Sequence, residues 1–268
     1  MLLSSPAALL LGICAGLCLS ASIHHSRQDI VQHGNPPLFE DSGSLKHLSR
    51  DTGDTGILYT QNWAGAVLMG SNLTAVTGLV KIPTAATPPG GRPGVQYATT
   101  TWVGIDGVSC STDALLQAGV DTFVQNGRIR YEAWYEWYPQ PSIPFSNFAV
   151  KEGDVINITV VAWTATTGIA ILENQTTGKN VSHAFNRGTR LCFSSAEWVV
   201  EDFSQGSQLV DFANFTSVTF TNVSATTGAG AVLNNTGSQI LGIKQRNKIF
   251  SDCSTPDSST VHCTYANR

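Results

Sequence analysis

Acidic side chains recur beside aromatic ones in three short segments of the 268-residue chain, TTWVGIDG, YEAWYEWYP and AEWVVEDF. Each segment has the composition of a β-strand. Because side chains alternate across a strand, three sets share a face: Trp102, Gly104 and Asp106; Glu132, Trp134, Glu136 and Tyr138; and Glu197 with Glu201. Burying a carboxylate costs free energy unless it is hydrogen-bonded or paired. Three such strands favour a groove for a polar polymer over a solvated sheet face.

Other catalytic arrangements find little support in the sequence. No Ser lies in a G-x-S-x-G elbow, and the two histidines beyond residue 60, His183 and His262, have no suitable Ser or Cys partner. DTGDTG (51–56) repeats the aspartic-protease tripeptide, but adjacent copies do not face each other across a cleft, so we interpret it as a turn. No Cys and His spacing matches a zinc site. We expect neither a metal nor a cofactor.

The remaining residues predict the all-β framework that must position these side chains. Short β-branched and aromatic runs, from NWAGAVLMG to ILGIK, alternate with turns rich in Gly, Asn, Ser and Thr. No long segment has a 3.6-residue period, so the pattern is typical of an antiparallel β-sandwich. The Pro- and Gly-rich stretch 84–94 predicts an exposed loop. The stretch 139–148, with three prolines, predicts a flap beside the most aromatic strand.

The N-terminal 58 residues differ from the rest of the chain. The apolar run from Ala7 to Leu19 ends in small residues, which predicts a secretory signal peptide at 1–21. A membrane anchor is the alternative, but it needs about 20 apolar residues. We interpret residues 22–58, here called the leader, as a propeptide, which leaves 59–268 as one β-sandwich domain. We therefore expect a secreted, extracellular protein with no membrane attachment after the signal is removed.

The leader contains four of the six histidines, namely His24, His25, His33 and His47. They become charged below about pH 6.5. If the neutral leader covers an acidic groove, acidification is expected to release it and start self-processing. A chance accumulation of histidines is the alternative.

The cysteines and sequons fit a secreted chain. Cys14 and Cys18 leave with the signal peptide, and an even number remains, which allows two disulfides in three possible pairings. The turn-like TPDSST between Cys253 and Cys263 predicts a hairpin bridge, which leaves Cys110 to pair with Cys192. Seven N-x-[ST] sequons are glycosylation candidates: Asn72, Asn157, Asn174, Asn180, Asn214, Asn222 and Asn234.

Charged residues are scarce, at 13% of the chain with a net charge of −4, against about 25% in typical domains. No basic patch indicates nucleic acid as a partner. A fold with few ion pairs and few cations loses little stability in acid, where paired carboxylates become protonated and the remaining positive charges repel each other. The composition is compatible with an acidic environment, although an ordinary secreted β-protein shares it.

Five motifs together resemble the glutamic peptidases, or eqolisins, which are acid endopeptidases secreted by fungi. They are QNWAGAVL, TTWVGIDGVSC, ALLQAGVD, YEAWYEWYP and AEWVVEDF, in the family's order and approximate spacing across residues 61–268. The resemblance implies two packed, curved antiparallel sheets in a lectin-like jelly roll. It also implies polypeptide substrates, and the chain's own propeptide as a partner. We expect a monomer.

The resemblance also implies roles for individual residues. Gln117 in LLQAG and Glu201 in VVEDF take the positions of the catalytic pair. Supporting or substrate-contacting roles fall on Trp102, Asp106, Glu132, Trp134, Glu136 and Tyr138. Glu197 and Asp202 are left with supporting or surface roles. Two departures are visible: Glu132 stands where relatives have Asp, and a disulfide that some relatives have after the E-D-F strand has no cysteines here.

Two other functions use the same groove. A glycoside hydrolase on a similar sandwich would use Glu136 and Glu201 as paired carboxylates, and would give Gln117 no essential role. A lectin would use the Trp-lined groove without catalysis. A role for the Gln117 side chain in the reaction distinguishes the peptidase from both.

Overall fold

The computed structural model describes the backbone of residues 33–34 and all of residues 56–268. The predicted signal peptide and nearly all of the leader lie outside the described residues. The described residues contain no helix, and therefore none long and apolar enough to cross a membrane. Their strands are β1 His33–Gly34, β2 Leu58–Thr60, β3 Trp63–Met69, β4 Leu73–Lys81, β5 Tyr97–Asp106, β6 Leu115–Gln125, β7 Arg128–Tyr138, β8 Ile143–Pro144, β9 Val155–Thr164, β10 Thr167–Asn174, β11 Lys179–Phe185, β12 Ser195–Glu201, β13 Ser204–Gln205, β14 Gln208–Leu209, β15 Asp211–Phe212, β16 Ser217–Thr227, β17 Val232–Leu233, β18 Gln239–Gln245, β19 Lys248–Ile249, β20 Ser251–Asp257 and β21 Thr260–Tyr265.

Two large sheets form the domain, and the predicted all-β sandwich is confirmed. The ten-stranded sheet has the order β19-β18-β3-β12-β5-β6-β7-β8, with β2 beside β18 and β15 beside β5. The eight-stranded sheet has the order β11-β10-β9-β4-β16-β21-β20, with β17 beside β16. Most pairs are antiparallel, while β2–β18 and β15–β5 are parallel. A small third sheet consists of β1, β13 and β14.

The main core lies between the two large sheets. In β9, Ile156, Ile158 and Val160 are buried, while the alternate residues Asn157 and Thr159 are half-buried. This alternation places every second side chain toward the other sheet. The inward residues pack with those of β5, β6 and β12 in one apolar cluster. Burial of this area is the main favourable term in folding.

The central strands of the ten-stranded sheet are buried on both faces. All residues of β5 and β12 are buried, in contrast to the alternating pattern of β9. A second apolar cluster, which includes Trp63, Trp102, Trp134 and Val199, covers the face of this sheet opposite the main core. We call this surface the site face. Its burial explains why these strands lack the alternation of buried and half-buried residues that β9 shows.

Both predicted disulfides are present. Cys253 and Cys263 lie directly opposite each other on the β20–β21 hairpin, with Cα atoms 4.1 Å apart. The Cys110–Cys192 bridge, with Cα atoms 5.5 Å apart, joins segments 82 residues apart in the sequence. It fixes the loop after β5 to the segment that leads into β12. These two strands carry several of the candidate site residues.

The edges of the domain include the two predicted loops and its first strand. Residues 84–94 form turns with a single bridge from Ala86 to Asn214. The predicted flap folds back so that β8 pairs with β7 at Trp134 and Tyr135. At the N-terminal side, Leu58 already belongs to the ten-stranded sheet through β2, and Ile57 is buried. The predicted leader boundary at residue 58 therefore falls inside a strand of the domain.

Candidate active site

Three rows of side chains cross the site face of the ten-stranded sheet. The rows run across β12, β5, β6 and β7: Glu201, Thr100, Asp121 and Glu132; Val199, Trp102, Gly119 and Trp134; and Glu197, Gly104, Gln117 and Glu136. Consecutive rows are two residues apart, so their side chains point to the same side of the sheet. An aromatic row thus separates two polar rows, and each polar row contains one residue of the predicted catalytic pair.

The Glu201 carboxyl is held between two neutral donors. The indole N–H of Trp102 donates to its Oε2 at 2.8 Å, and the Nδ2 of Asn62 donates to its Oε1 at 3.1 Å. The side chain is fully buried. Burial raises its pKa to about 8, although the donors Trp102, Trp63 and Asn62 each act to lower it. Burial therefore favours the neutral form of the Glu201 carboxyl, and the two donors hold it in one orientation.

The Gln117 side chain is oriented by a carboxyl on the neighbouring strand. Its Nε2 donates to Oε2 of Glu136 at 3.1 Å, directly across the β6–β7 pair. Its Oε1 is buried and accepts no hydrogen bond from the described residues. The amide is thus fixed through its donor end. Glu136 is 1% exposed, so this polar pair is shielded from solvent.

The aromatic row depends on a glycine for its close packing. A Cβ added at Gly119 would lie 2.6 Å from the Cβ of Trp102 and 2.5 Å from the carbonyl oxygen of Thr101. Trp102 also packs edge to face on Trp63, with ring centroids 4.7 Å apart. The Trp134 indole donates to Oγ1 of Thr100 at 3.0 Å, so both tryptophans of this row bond to the Glu201 row. The row therefore sets the direction of both indole donors.

Asp106 binds the protein backbone. Its carboxylate accepts hydrogen bonds from the N–H groups of Cys192, Phe193 and Ser194 at 2.6–2.9 Å, and from the Ser194 hydroxyl at 3.0 Å. Three consecutive N–H groups around one carboxylate form an anion nest. Asp106 has a φ of 71°, outside the strand region. The structure thus uses Asp106 to anchor the segment that enters β12, next to the Cys110–Cys192 bridge.

Two other predicted supporting residues lie toward the edge of the site. Glu132 belongs to the Glu201 row but is part-exposed, and its carboxylate pairs with Arg130 at 2.5 Å. Tyr138 is half-buried at the end of β7, and burial, with the charges of Asp113 and Glu136, raises its pKa. The structure therefore brings Gln117, Glu201, Trp102, Trp134 and Glu136 together, and leaves Glu132 and Tyr138 at the periphery.

Three site residues received no specific role from the sequence. Asn62 follows β2 and reaches Glu201 across 139 positions of sequence. Asp121 lies in the Glu201 row and is 1% exposed. Glu197 lies in the Gln117 row, across Gly104, and is fully buried, which excludes the surface role and leaves the supporting role expected from the sequence. The motif QNWAG could have indicated a role for Asn62. The position of Glu197 on the same strand face as Glu201 could have indicated a role for Glu197.

Glu197 is a buried acid with poor hydrogen bonding. Neither of its carboxyl oxygens has a hydrogen-bond partner among the described residues, and the nearby Ser195 hydroxyl points toward the Val108 carbonyl at 3.5 Å. Burial raises the pKa of Glu197 well above its ordinary value; the Ser195 hydroxyl acts slightly against this, and the charge of Asp106 adds to it. Burial therefore favours the protonated form of this carboxyl.

The two histidines of the domain lie outside the three rows. The His183 ring stacks on Tyr135 with centroids 3.9 Å apart, and burial lowers its pKa. His262 shares a 2.8 Å hydrogen bond with the hydroxyl of Thr219. No cluster of metal-binding side chains occurs within residues 56–268.

A sandwich that presents a held carboxyl and a held carboxamide on one face, with tryptophans between them, has the arrangement expected of a glutamic-type peptidase. The family model described as "Peptidase A4 family" matches residues 61–265. The chain belongs to this family, the eqolisins, and is a peptide-bond hydrolase.

Individual relatives support the same family. The chain is 40% identical to Aspergillopepsin-2 of Aspergillus niger over 247 residues, 86% of each chain. It is 40% identical to Scytalidopepsin B of Scytalidium lignicola over 213 residues, 76% of this chain and 77% of the relative. The crystal structure of scytalido-glutamic peptidase with a peptide-based transition state analogue matches with a TM-score of 0.67 at 40% identity, covering 77% of this chain and 98% of that one.

Proposed function

We propose that the protein is a secreted acid endopeptidase in which Glu201 activates water and Gln117 stabilises the oxyanion. One observation carries the proposal: the Glu201 carboxyl is aimed by two neutral donors on the same face as the Gln117 amide. A peptide hydrolase needs a proton acceptor for water and a donor for the developing oxyanion. The two polar rows supply one of each.

Glu201 is assigned both proton transfers. As a carboxylate it accepts a proton from water while the water oxygen attacks the peptide carbonyl. It then gives that proton to the leaving amine when the C–N bond breaks. The fixed donors Trp102 and Asn62 occupy one lone pair on each carboxyl oxygen and leave others for the water. A carboxylate remains partly ionised in mild acid, where a histidine base would be protonated.

We assign the stabilisation of the oxyanion to Gln117. Its Nε2 has a second hydrogen in addition to the one donated to Glu136. An amide has no titratable charge, so its donor strength does not change across the acidic range. Glu136 fixes the amide rotamer and polarises the N–H groups. Removing one preorganised oxyanion donor typically lowers kcat by about 100- to 1000-fold.

The raised pKa of Glu201 belongs to a closed site, in which the catalytic side chains are shielded from solvent. Gln117, Trp102 and Glu201 are all 0% exposed in this structure. Burial is the main cause that raises the pKa of Glu201 to about 8, so the carboxyl would be protonated and unable to act as a base in acid. Admitting water and substrate reduces this effect, whereas the donors that lower the pKa remain. We therefore propose that opening of the site face creates the active base.

The glycosidase alternative is disfavoured by the sheet register. The backbones at Glu136 and Glu201, on β7 and β12, are three strand spacings apart, about 14 Å across the sheet, and the two residues also lie in different rows. Paired glycosidase carboxyls act about 5–9.5 Å apart. Gln117 is one strand closer to Glu201, and Glu136 already accepts the hydrogen bond of Gln117. The non-catalytic lectin function leaves the oriented donors of Glu201 without a role.

Kinetics on a denatured protein substrate between about pH 2 and 5, which brackets the carboxyl pKa, test the proposal. Glu201→Gln and Gln117→Ala should each lower kcat by at least about 100-fold. Glu173→Gln on the eight-stranded sheet and Gln125→Ala at the exposed end of β6 are matched controls and should retain activity. Full activity of Gln117→Ala would overturn the mechanism. Hydrolysis of a polysaccharide, lost in Glu136→Gln, would instead support the glycosidase.

A further inference from the structure

A short piece of the leader forms the edge strand of the third sheet. The backbone of His33–Gly34 pairs antiparallel with β13, opposite Gln205 and Ser204. β13 begins three residues after Glu201 and continues through a tight turn into β14. The leader is thus bound by its main chain close to the catalytic carboxyl in sequence. Strand addition of this kind gives affinity through backbone hydrogen bonds.

The hairpin presents its free backbone groups toward the leader at Ser204. Gln205 and Gln208 flank the two-residue turn, and the Val210 N–H donates to the Phe203 carbonyl at 3.0 Å. Successive residues of an antiparallel strand direct their N–H and C=O groups to opposite sides. Since Phe203 and Gln205 bond to β14, the groups of Ser204 point the other way, toward Gly34.

A cleft of about 710 Å³ lies beside the same hairpin. One wall comes from residues 208–212, and the other from residues 244–246 with Phe250. Gln61 and Asp202 complete the lining. Asp202 is 1% exposed, which excludes the surface role and leaves the supporting role expected from the sequence. Its Oδ2 accepts a 2.7 Å hydrogen bond from Gln245, while its Oδ1 has no partner among the described residues.

The leader segment between β1 and β2 starts beside β13 of the hairpin and ends before β2, the strand that leads to Gln61 in the cleft lining. Residues 35–55, 21 in number, connect Gly34 on the hairpin to Gly56 before β2. β2 pairs with β18, which supplies Lys244 and Gln245 to the cleft. A chain of this length can extend about 70 Å, so length does not restrict its path. The segment contains donors for Asp202, in Lys46, His47 and Arg50.

We propose that the hairpin β13–β14 and the adjoining cleft are the docking surface of the leader. The leader binds as an added strand through residues 33–34 and occupies the cleft with residues 35–55. This surface shares a support with the catalytic carboxyl, because the Asp202 N–H donates to the Asn62 carbonyl at 2.9 Å and Asn62 donates to Glu201. This last link rests on the proposed function, but the docking itself does not.

The docking is tested in the full-length chain with Glu201→Gln, which stops self-processing. Ser204→Pro removes the N–H that faces the leader, while Ser204→Thr keeps it and serves as the matched control. Trypsin cleavage after Lys46 and Arg50, and hydrogen exchange at residues 33–34, report leader release. We expect Ser204→Pro, unlike Ser204→Thr, to accelerate both by at least about tenfold, as loss of backbone hydrogen bonds should. Equal rates in the two variants would overturn strand docking.

Two further variants make the test independent of domain folding. Gly34→Pro lies in the leader and should release it in the same way as Ser204→Pro without affecting the domain. Leu209→Asn alters only the cleft wall, and should accelerate cleavage after Arg50 while exchange at residues 33–34 stays slow. An unchanged cleavage rate in Leu209→Asn, or a dimer in sedimentation that this variant dissociates, would exclude the leader as the occupant. These readouts need no catalysis, so they stand apart from the proposed function.

Discussion

Gln117 and Glu201 are positioned by the same strand without touching each other. Gln117 lies opposite Gly104 on one side of β5, and Glu201 lies opposite Thr100 on the other side. Trp102 stands between these two positions and donates to Glu201 at 2.8 Å. Strand β5 therefore sets the spacing between the proposed base and the oxyanion donor. Trp102 lies between the two positions, so a substitution there should disturb the site most directly.

Removal of the Trp102 donor tests this relationship. Trp102→Phe keeps most of the aromatic volume but takes away an N–H that favours the charged form of Glu201, so the pKa of Glu201 should rise. We expect kcat to fall by less than the about 100- to 10,000-fold that general acid–base catalysis contributes in total, and the acidic limb of the kcat/KM profile to move to higher pH. Trp163→Phe, at an exposed position, is the control. An unmoved acidic limb would contradict the assignment of Trp102.

The anion nest at Asp106 predicts a stability effect. Asp106→Asn removes the charge that satisfies three backbone N–H groups, and it directs an amide N–H₂ at some of them. Loss of hydrogen bonds to a buried charged group should lower the free energy of unfolding by about 2–4 kcal/mol. Denaturant unfolding measures this change, with Asp113→Asn, an exposed position, as control. A variant as stable as the parent would show that the nest contributes little.

The buried acids predict that the chain is less stable at neutral pH. Burial raises the pKa of Asp202 from 3.8 to about 7, and raises the pKa of Glu197 and Glu201 as well. The folded state therefore binds more protons than the unfolded state between about pH 4 and 7. The free energy of unfolding must then fall as pH rises through this window.

Asp202→Asn isolates one part of this effect. A rise of about three pKa units corresponds to a decrease of at most about 4 kcal/mol in the free energy of unfolding that is attributable to Asp202. The substitution should remove that part of the decline between pH 4 and 7. Unfolding titrations at several pH values measure it. Asp257→Asn, at an exposed carboxyl whose pKa is lowered by hydrogen bonds from Ser259 and Thr260, should leave the decline in place. A decline that is unchanged in Asp202→Asn would contradict the assignment.

The structure divides the predicted sequons into those whose Asn side chain is hydrogen-bonded within the domain and those whose Asn is exposed. The Nδ2 atom that would carry a glycan donates to Asp154 at 2.8 Å in buried Asn174, and to Glu173 at 2.9 Å in Asn157. Four other sequon residues are exposed: Asn72, Asn180, Asn222 and Asn234. Mass spectrometry of glycopeptides from the secreted protein should find glycans only among the accessible positions. A glycan on Asn174 in the folded enzyme would contradict the buried hydrogen bond.

Local patterns predicted much of the fold, but not the pairing between strands. Alternation and turn residues indicated the sandwich, and the turn between Cys253 and Cys263 indicated their bridge. The sheet register is non-local, so the place of Asn62 beside Glu201 and of Glu197 across Gly104 could not be inferred from spacing. Very short parallel strands such as β2 have too few residues for a pattern. The burial of Glu197 and Asp202 follows from what covers their strands, which composition does not reveal.

The central claim is that Gln117 acts as a neutral hydrogen-bond donor beside the base Glu201. The kcat/KM profile of Gln117→Glu, measured beside Gln117→Ala, tests it most directly. A protonated carboxyl still donates one hydrogen bond, so Gln117→Glu should retain measurable hydrolysis at the lowest pH and lose it as pH rises and the new carboxyl ionises. Gln117→Ala should remain at least about 100-fold below the parent across the whole profile. Activity in Gln117→Ala that follows the parent profile would contradict the account.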